Sequence, residues 1–139
     1  VSSLDVLIQA QILNLLKKMQ KVLKLTYLFI SHNLNAVSFV ADEVFVMYMG
    51  RIVEKAPVQE LLDNPSHPYT KALFSAAFNI TSTGNSASDG IVLHGDLPNP
   101  TERSAGCPFA SRCPEASEEC RKKMPPQQGG LNHSWTCIR

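Results

Sequence analysis

The order of the apolar patterns is what most constrains how this chain can fold. Residues 5–24 repeat apolar side chains at spacings of three and four, which predicts an amphipathic helix. Residues 25–31 are an unbroken β-prone run, typical of a strand buried on both faces. Helical spacing returns over residues 34–41, and residues 43–49 form a second strand-like run. This alternation predicts an α/β fold in which helices pack on parallel strands.

Two short helices and a turn are predicted next. Gly50-Arg51 is expected to turn the chain into a returning strand at residues 52–54. A helix is expected from Pro57 to Asp63, because proline is favoured in a first helical turn. A further helix is expected to open at His67-Pro68-Tyr69, and the polar residues 79–90 are typical of a linker.

Composition narrows the function classes. Lys plus Arg number 13 and Asp plus Glu number 12, so the net charge is +1. Such a balance argues against broad electrostatic binding to nucleic acid or to an anionic membrane. Hydrophobic residues make up 44%, which suits a folded globular chain. No apolar run approaches the roughly 18 residues that span a bilayer.

The tail after the linker has a different character. A short strand is expected at residues 91–93, and after it the chain is rich in proline and holds every cysteine and the single tryptophan. Little regular structure is expected there, so we expect the tail to need a cross-link or a bound metal to hold its shape. The cysteines are Cys107, Cys113, Cys120 and Cys137, spaced C-x5-C-x6-C-x16-C, with His133 nearby. Four thiolates can hold a [4Fe–4S] cluster or Zn²⁺, but this spacing also suits free or oxidised thiols.

His32 is the first candidate site residue. It follows the predicted buried strand directly, and ligands of open α/β sheets bind at the carboxyl ends of strands. The alternative is a structural histidine that caps the next helix. His67 and Tyr69 offer either a docking point for a partner or a rigid helix start whose tyrosine packs on the core.

Four motifs occur in a fixed order along the chain. They are Ser2-Ser3-Leu4-Asp5 followed by Ile8 to Leu13, then Tyr27 to His32, Val46 to Glu54, and His67 to Leu73. Together they closely resemble the carboxyl-terminal half of an ABC transporter ATP-binding subunit. The last motif resembles the segment that marks the peptide-importer branch, which includes dipeptide, oligopeptide and nickel systems.

This resemblance implies roles for particular residues. Ser2, Ser3, Leu4 and Asp5 would form the D-loop at the interface between two ATPase subunits. His32 would be the switch histidine, which contacts the γ-phosphate of ATP and helps to place the attacking water. Positioning and charge stabilisation are the main needs of phosphoryl transfer. Asn33 departs from the acidic residue that usually follows this histidine in the family.

The resemblance also implies a division of the chain and a cellular setting. Residues 1–80 would be the carboxyl-terminal part of the ATPase domain, and residues 81–139 a linker and a cysteine-rich extension. The segment from Gly106 to Pro114 resembles one that is associated with an iron–sulfur cluster in peptide-importer ATPases. The partners would be a second ATPase subunit and membrane-spanning permease subunits, at the cytoplasmic face of the membrane.

One required element is missing from the sequence. No G-x-x-x-x-G-K-[ST] phosphate loop occurs, and ATP with Mg²⁺ needs that cradle. The chain is therefore expected to be a fragment that is inactive alone and that self-associates through apolar strand faces. The alternative function is a non-enzymatic module that binds Fe–S or zinc and serves for protein interaction.

Overall fold

The computed structural model describes residues 3–78 and 105–138. Contacts divide the chain into two compact units, Val1–Asp42 and Glu43–Arg139. The division after residue 80 that the family resemblance implies stays a prediction. In the structure the cysteine-containing tail groups with the hairpin at residues 43–57, because a strand of the tail pairs with that hairpin. The predicted linker at 79–90 and the predicted strand at 91–93 lie outside the described residues.

Unit 1 contains two helices. Helix α1 spans Ser3–Leu23 and helix α2 spans Leu34–Val40, which confirms both predicted helices. Lys24 follows the last residue of α1, and its φ of 52° is the left-handed conformation that commonly terminates helices. The two helices are in contact. The Lys17 ammonium lies 5.7 Å from the centre of the Phe39 ring, and Gln20 Nε2 donates to Asp42 Oδ2 at 3.5 Å.

The strand predicted at residues 25–31 is wrong for this structure. The segment has no strand structure, and its Leu28 and Ile30 side chains are 89% and 88% exposed. A strand needs a neighbour for its backbone hydrogen bonds, and no described strand pairs with this segment. The expected parallel arrangement is also wrong, because every strand pairing in the described sheet is antiparallel.

Unit 2 is built on a four-stranded sheet. Its strands are β1 (Glu43–Tyr48), β2 (Arg51–Pro57), β3 (Gln127–Gly129) and β4 (Ser134–Thr136), in the order β1-β2-β4-β3. The turn between β1 and β2 is Met49-Gly50, one residue before the predicted turn, and both residues have positive φ. Two-residue hairpin turns of this kind match the right-handed twist of the strands.

A β-bulge in the β1–β2 hairpin decides which side chains face inward. Val46 pairs with Glu54 and Met47 pairs with Ile52, so Val53 is the extra residue. The bulge interrupts the usual alternation, and Val53 and Glu54 are both 1% exposed. Glu54 pairs with buried Val46 and alternates with buried Ala56, so it faces the interior, and the bulge turns Val53 inward as well. Met47 and Ile52 stay on the outer face of the hairpin, where they are 59% and 41% exposed.

Three helices and the tail complete unit 2. Helix α3 spans Val58–Asp63, α4 spans Pro68–Phe78 and α5 spans Glu118–Lys122. The first two confirm the predicted helices. The tail has more regular structure than expected, because α5, β3 and β4 all lie within it. Phe109, fully buried, packs among hairpin and tail residues in the core. Among residues 3–78 and 105–138, every helix is too short or too polar to span a bilayer.

Candidate functional site

His32 lies at an exposed bend immediately before α2. Asn33, not His32, caps that helix: its side-chain oxygen accepts a hydrogen bond from the Ala36 N–H at 3.2 Å. The Ser31 hydroxyl in turn accepts from the Asn33 N–H at 3.0 Å. The neighbours of His32 thus fix the backbone, and the imidazole is left at the surface. The structural alternative for His32, that it caps the helix, is wrong.

The predicted D-loop lies at the start of α1. Ser2 is outside the described residues, and Ser3 begins the helix. Asp5 is exposed in the first turn, where a carboxylate interacts favourably with the helix dipole. It lines a groove of about 350 Å³ together with Gln9 and five apolar residues, which are Ile8, Ile12, Leu13, Leu16 and Phe29. His32 is not among the lining residues, and the apolar walls suit packing against protein more than phosphate binding.

The cysteines lie in unit 2, three of them buried and Cys113 half-buried. The Cys107 N–H donates to the Cys120 carbonyl oxygen at 2.7 Å, and the Cys137 carbonyl accepts from the Gln128 side chain at 2.7 Å. Burial raises the pKa of the Cys107 and Cys113 thiols, and neighbouring cysteines, among them Cys137, raise it further. The fold therefore gathers the four thiols into one region and favours the protonated form of Cys107 and Cys113.

This arrangement gives no support for a resident metal. Within the described ranges, which include all four cysteines, no three His, Cys, Asp or Glu side chains are grouped so that they could hold a metal ion. The expected [4Fe–4S] or zinc site, and the metal-binding module as an alternative function, have no support in this geometry.

His67 and Tyr69 are part of the core. His67 is 1% exposed, and the Tyr69 ring lies 4.6 Å from the Tyr48 ring and 5.4 Å from the Phe109 ring, measured between centroids. The rigid helix start that packs its tyrosine on the core is confirmed, and the docking point is not. His67 Nδ1 accepts a hydrogen bond from the Tyr69 N–H at 3.1 Å, which requires an unprotonated nitrogen.

Sequence reasoning missed a buried polar cluster around Glu54. Its side chain is fully buried, and its two oxygens accept from the backbone N–H groups of Ser66 and His67 at 2.7 and 2.9 Å. His133 Nε2 lies 2.8 Å from Glu54 Oε1, although 79 residues separate the two in the chain. The one signal in the sequence is a glutamate in a strand-like run, and its pairing with buried Val46 shows that it points inward.

We expect acid to destabilise unit 2 through His67. Burial lowers the pKa of His67 from 6.5 to about 4, so the unfolded chain takes up a proton first as the pH falls. Stability is lost below pH 6.5 and levels off below pH 4. At about 1.4 kcal/mol per pH unit, the free energy of unfolding should fall by about 2 kcal/mol between pH 7 and pH 5.

Urea unfolding of the wild-type chain and of His67→Gln at both pH values measures this loss. Glutamine cannot take up the proton, so the variant should lose correspondingly less stability on acidification. An equal loss in both proteins would show that other groups cause the acid sensitivity.

Comparison with known proteins places the chain in a family. The family model described as "Oligopeptide/dipeptide transporter, C-terminal region" matches residues 53–120. The chain is 47% identical over 125 residues to the dipeptide transport ATP-binding protein DppF of Haemophilus influenzae, which covers 90% of the chain and 38% of that protein. It is 43% identical over 140 residues to the oligopeptide transport ATP-binding protein OppF of Escherichia coli, which covers 100% of the chain and 42% of that protein.

The oligopeptide transport ATP-binding protein AppF of Bacillus subtilis is 46% identical over 125 residues, or 90% of the chain and 38% of that protein. The chain thus spans about two fifths of the length of these relatives. The similarity covers both units, from the helices around His32 to the cysteine-containing tail. This chain therefore belongs to the ATP-binding subunits of peptide ABC transporters and corresponds to their carboxyl-terminal region.

Proposed function

We propose that this chain is part of an ATP-hydrolysing subunit that couples ATP binding and hydrolysis to peptide uptake. The observation that carries the proposal is the 42–48% identity, over 89% or more of the chain, to proteins named for dipeptide, di/tripeptide or oligopeptide transport. The exposed position of His32 supports it, because a group that acts on a ligand must be reachable.

In this role His32 is the residue of the chain that faces the nucleotide. Its imidazole is exposed, and Asn33 and Ser31 on either side hold the backbone through their hydrogen bonds. A histidine held in this way can donate a hydrogen bond to a phosphate oxygen or orient a water. Asp5, exposed at the start of α1, would lie at the contact with a second ATPase subunit, as the D-loop resemblance implies.

ATP and Mg²⁺ supply the phosphoryl group and its charge neutralisation when they are bound. The residues of this chain fit only part of such a site, since the sequence lacks the phosphate loop that cradles a nucleotide. The proposed partners are a second ATPase subunit and membrane-spanning permease subunits, and the proposed location is the cytoplasmic face of the membrane.

We expect the 139-residue chain alone not to bind Mg-ATP. Exposed His32 is a single contact, and one hydrogen bond to a charged group contributes about 1.5–3 kcal/mol, far less than micromolar affinity requires. Isothermal titration of the chain with Mg-ATP checks this, with Mg-ADP as the comparison. Micromolar binding of Mg-ATP would contradict the inferred dependence on the missing phosphate loop.

A chimera tests the proposed function directly. This chain replaces the matching carboxyl-terminal part of Escherichia coli OppF, to which it is 43% identical over its full length. Oligopeptide uptake is then measured in a strain that lacks its own OppF. Uptake above that of the empty strain supports the proposal, and a stable, membrane-associated chimera that gives no uptake would contradict it.

A further inference from the structure

Glu54 accepts hydrogen bonds from two regions of unit 2 that are far apart in the chain. One region is the turn at Ser66-His67, whose backbone N–H groups donate to both carboxylate oxygens. The other is the hairpin of β3 and β4, which contributes His133. The side chain of Glu54 is fully buried and that of His133 is 16% exposed, so water competes little for these bonds.

The three donors depend on one another through this carboxylate. Oε1 accepts from both the Ser66 N–H and His133 Nε2, and Oε2 accepts from the His67 N–H. If one donor is removed, a buried charged acceptor is left short of partners, which costs more than the net value of one hydrogen bond. Loss of one donor therefore weakens the hold of the carboxylate on the other two.

We propose that Glu54 is a positioning residue that locks the Ser66-His67 turn to the β3–β4 hairpin, so that the start of helix α4 and the cysteine-containing tail move as one body. The backbone supports this arrangement. β2, which carries Glu54, pairs with β4 at Glu54–Trp135 and Lys55–Ser134, directly beside His133. Cys137 follows β4 immediately, so its thiol reports on how firmly the hairpin is held. The inference does not depend on the proposed transport function.

The central experiment removes the His133 donor and measures hydrogen exchange at the Ser66-His67 turn. The Ser66 and His67 N–H groups donate to Glu54 and not to His133, so the shared carboxylate is the direct link between them. His133 Nδ1 also lies 3.5 Å from Glu60 Oε1 on α3, and Glu54→Gln leaves that second contact in place, so it separates the two routes. In the 139-residue chain, we expect His133→Leu to speed hydrogen exchange of the Ser66 and His67 amides at least tenfold. The same variant should speed alkylation of the Cys137 thiol at least tenfold. Glu54→Gln should raise both rates as well.

Two further variants keep the test decisive. His133→Gln retains an N–H donor and should restore most of the amide protection, which a merely space-filling role of His133 would not predict. Glu43→Gln makes the same carboxylate-to-amide change on the same sheet, where Glu43 pairs with Lys55 at 3.1 Å and is 43% exposed, and should change neither rate.

Faster Cys137 alkylation in His133→Leu without faster exchange at residues 66 and 67 would overturn the proposal. Unchanged rates at both ends would also overturn it. If His133→Leu does not fold, the other two variants decide the question. Fast exchange of the Ser66 and His67 amides in His133→Gln would overturn the proposal. Slow exchange of the same amides in Glu54→Gln would overturn it as well.

Discussion

In the OppF chimera, His32→Ala should reduce oligopeptide uptake and ATP hydrolysis to about 1% or less of the unsubstituted chimera. Removal of one positioned hydrogen-bond donor from a reacting centre typically costs about 100-fold or more in rate. The side chain of His32 is exposed, and Asn33 rather than His32 caps α2, so the substitution removes the imidazole without removing a helix cap. Stability should therefore be nearly unchanged.

A second histidine provides the matched control. His94 belongs to none of the four motifs, and His94→Ala should leave uptake and hydrolysis within about twofold of the unsubstituted chimera. The amounts of each chimera at the membrane are compared by immunoblot. If His32→Ala retains more than about half of the hydrolysis rate at equal protein level, the role assigned to His32 is wrong.

Phe109→Ala should cost about 3–5 kcal/mol in the free energy of unfolding of unit 2. The Phe109 side chain is fully buried, and its ring centroid lies 5.3 Å from that of Tyr48, 5.4 Å from that of Tyr69 and 5.9 Å from that of His67. Truncation leaves a cavity at the place where the tail, the hairpin and the start of α4 meet. Small domains have only about 5–15 kcal/mol of stability in total, so such a loss is a large fraction.

Urea unfolding followed by Trp135 fluorescence measures this effect, because Trp135 lies in β4 and is the single tryptophan of the chain. Phe45→Ala is the control, since Phe45 is 52% exposed on the outer face of β1 and should cost less than about 1 kcal/mol. A Phe109→Ala midpoint no lower than that of Phe45→Ala would show that the tail does not depend on this core.

Much of the fold was predictable because its elements are local. The spacing of apolar residues predicts α1, α2 and β1 to within a few residues, and Pro57 and Pro68 mark the starts of α3 and α4. The segment 25–31 was not predictable in the same way. Its composition indicates only that the segment suits a sheet. A strand also requires a neighbouring strand for its backbone hydrogen bonds, and composition does not show whether one is present.

The site was harder to predict because its geometry depends on distant pairing. Residues 134–136 are too few to carry a strand pattern, and their pairing with β2 is what brings His133 to Glu54. The pairing that places Glu54 opposite buried Val46 is a matter of register, which no short window of sequence shows. His32, in contrast, was found from motif and position, and the structure adds that it is exposed and that its neighbour caps α2.

The pairing of β2 with β4 has a consequence for synthesis on the ribosome. Glu54 and His133 are 79 residues apart, so β2 leaves the ribosome long before the strand that will cover its second edge. During that interval β2 has its hairpin partner on one side only, and its other edge is open to pairing with a different chain. Long-range closures of this kind are slow steps in folding. We expect the last stage in the folding of unit 2 to be the arrival of β4 on β2.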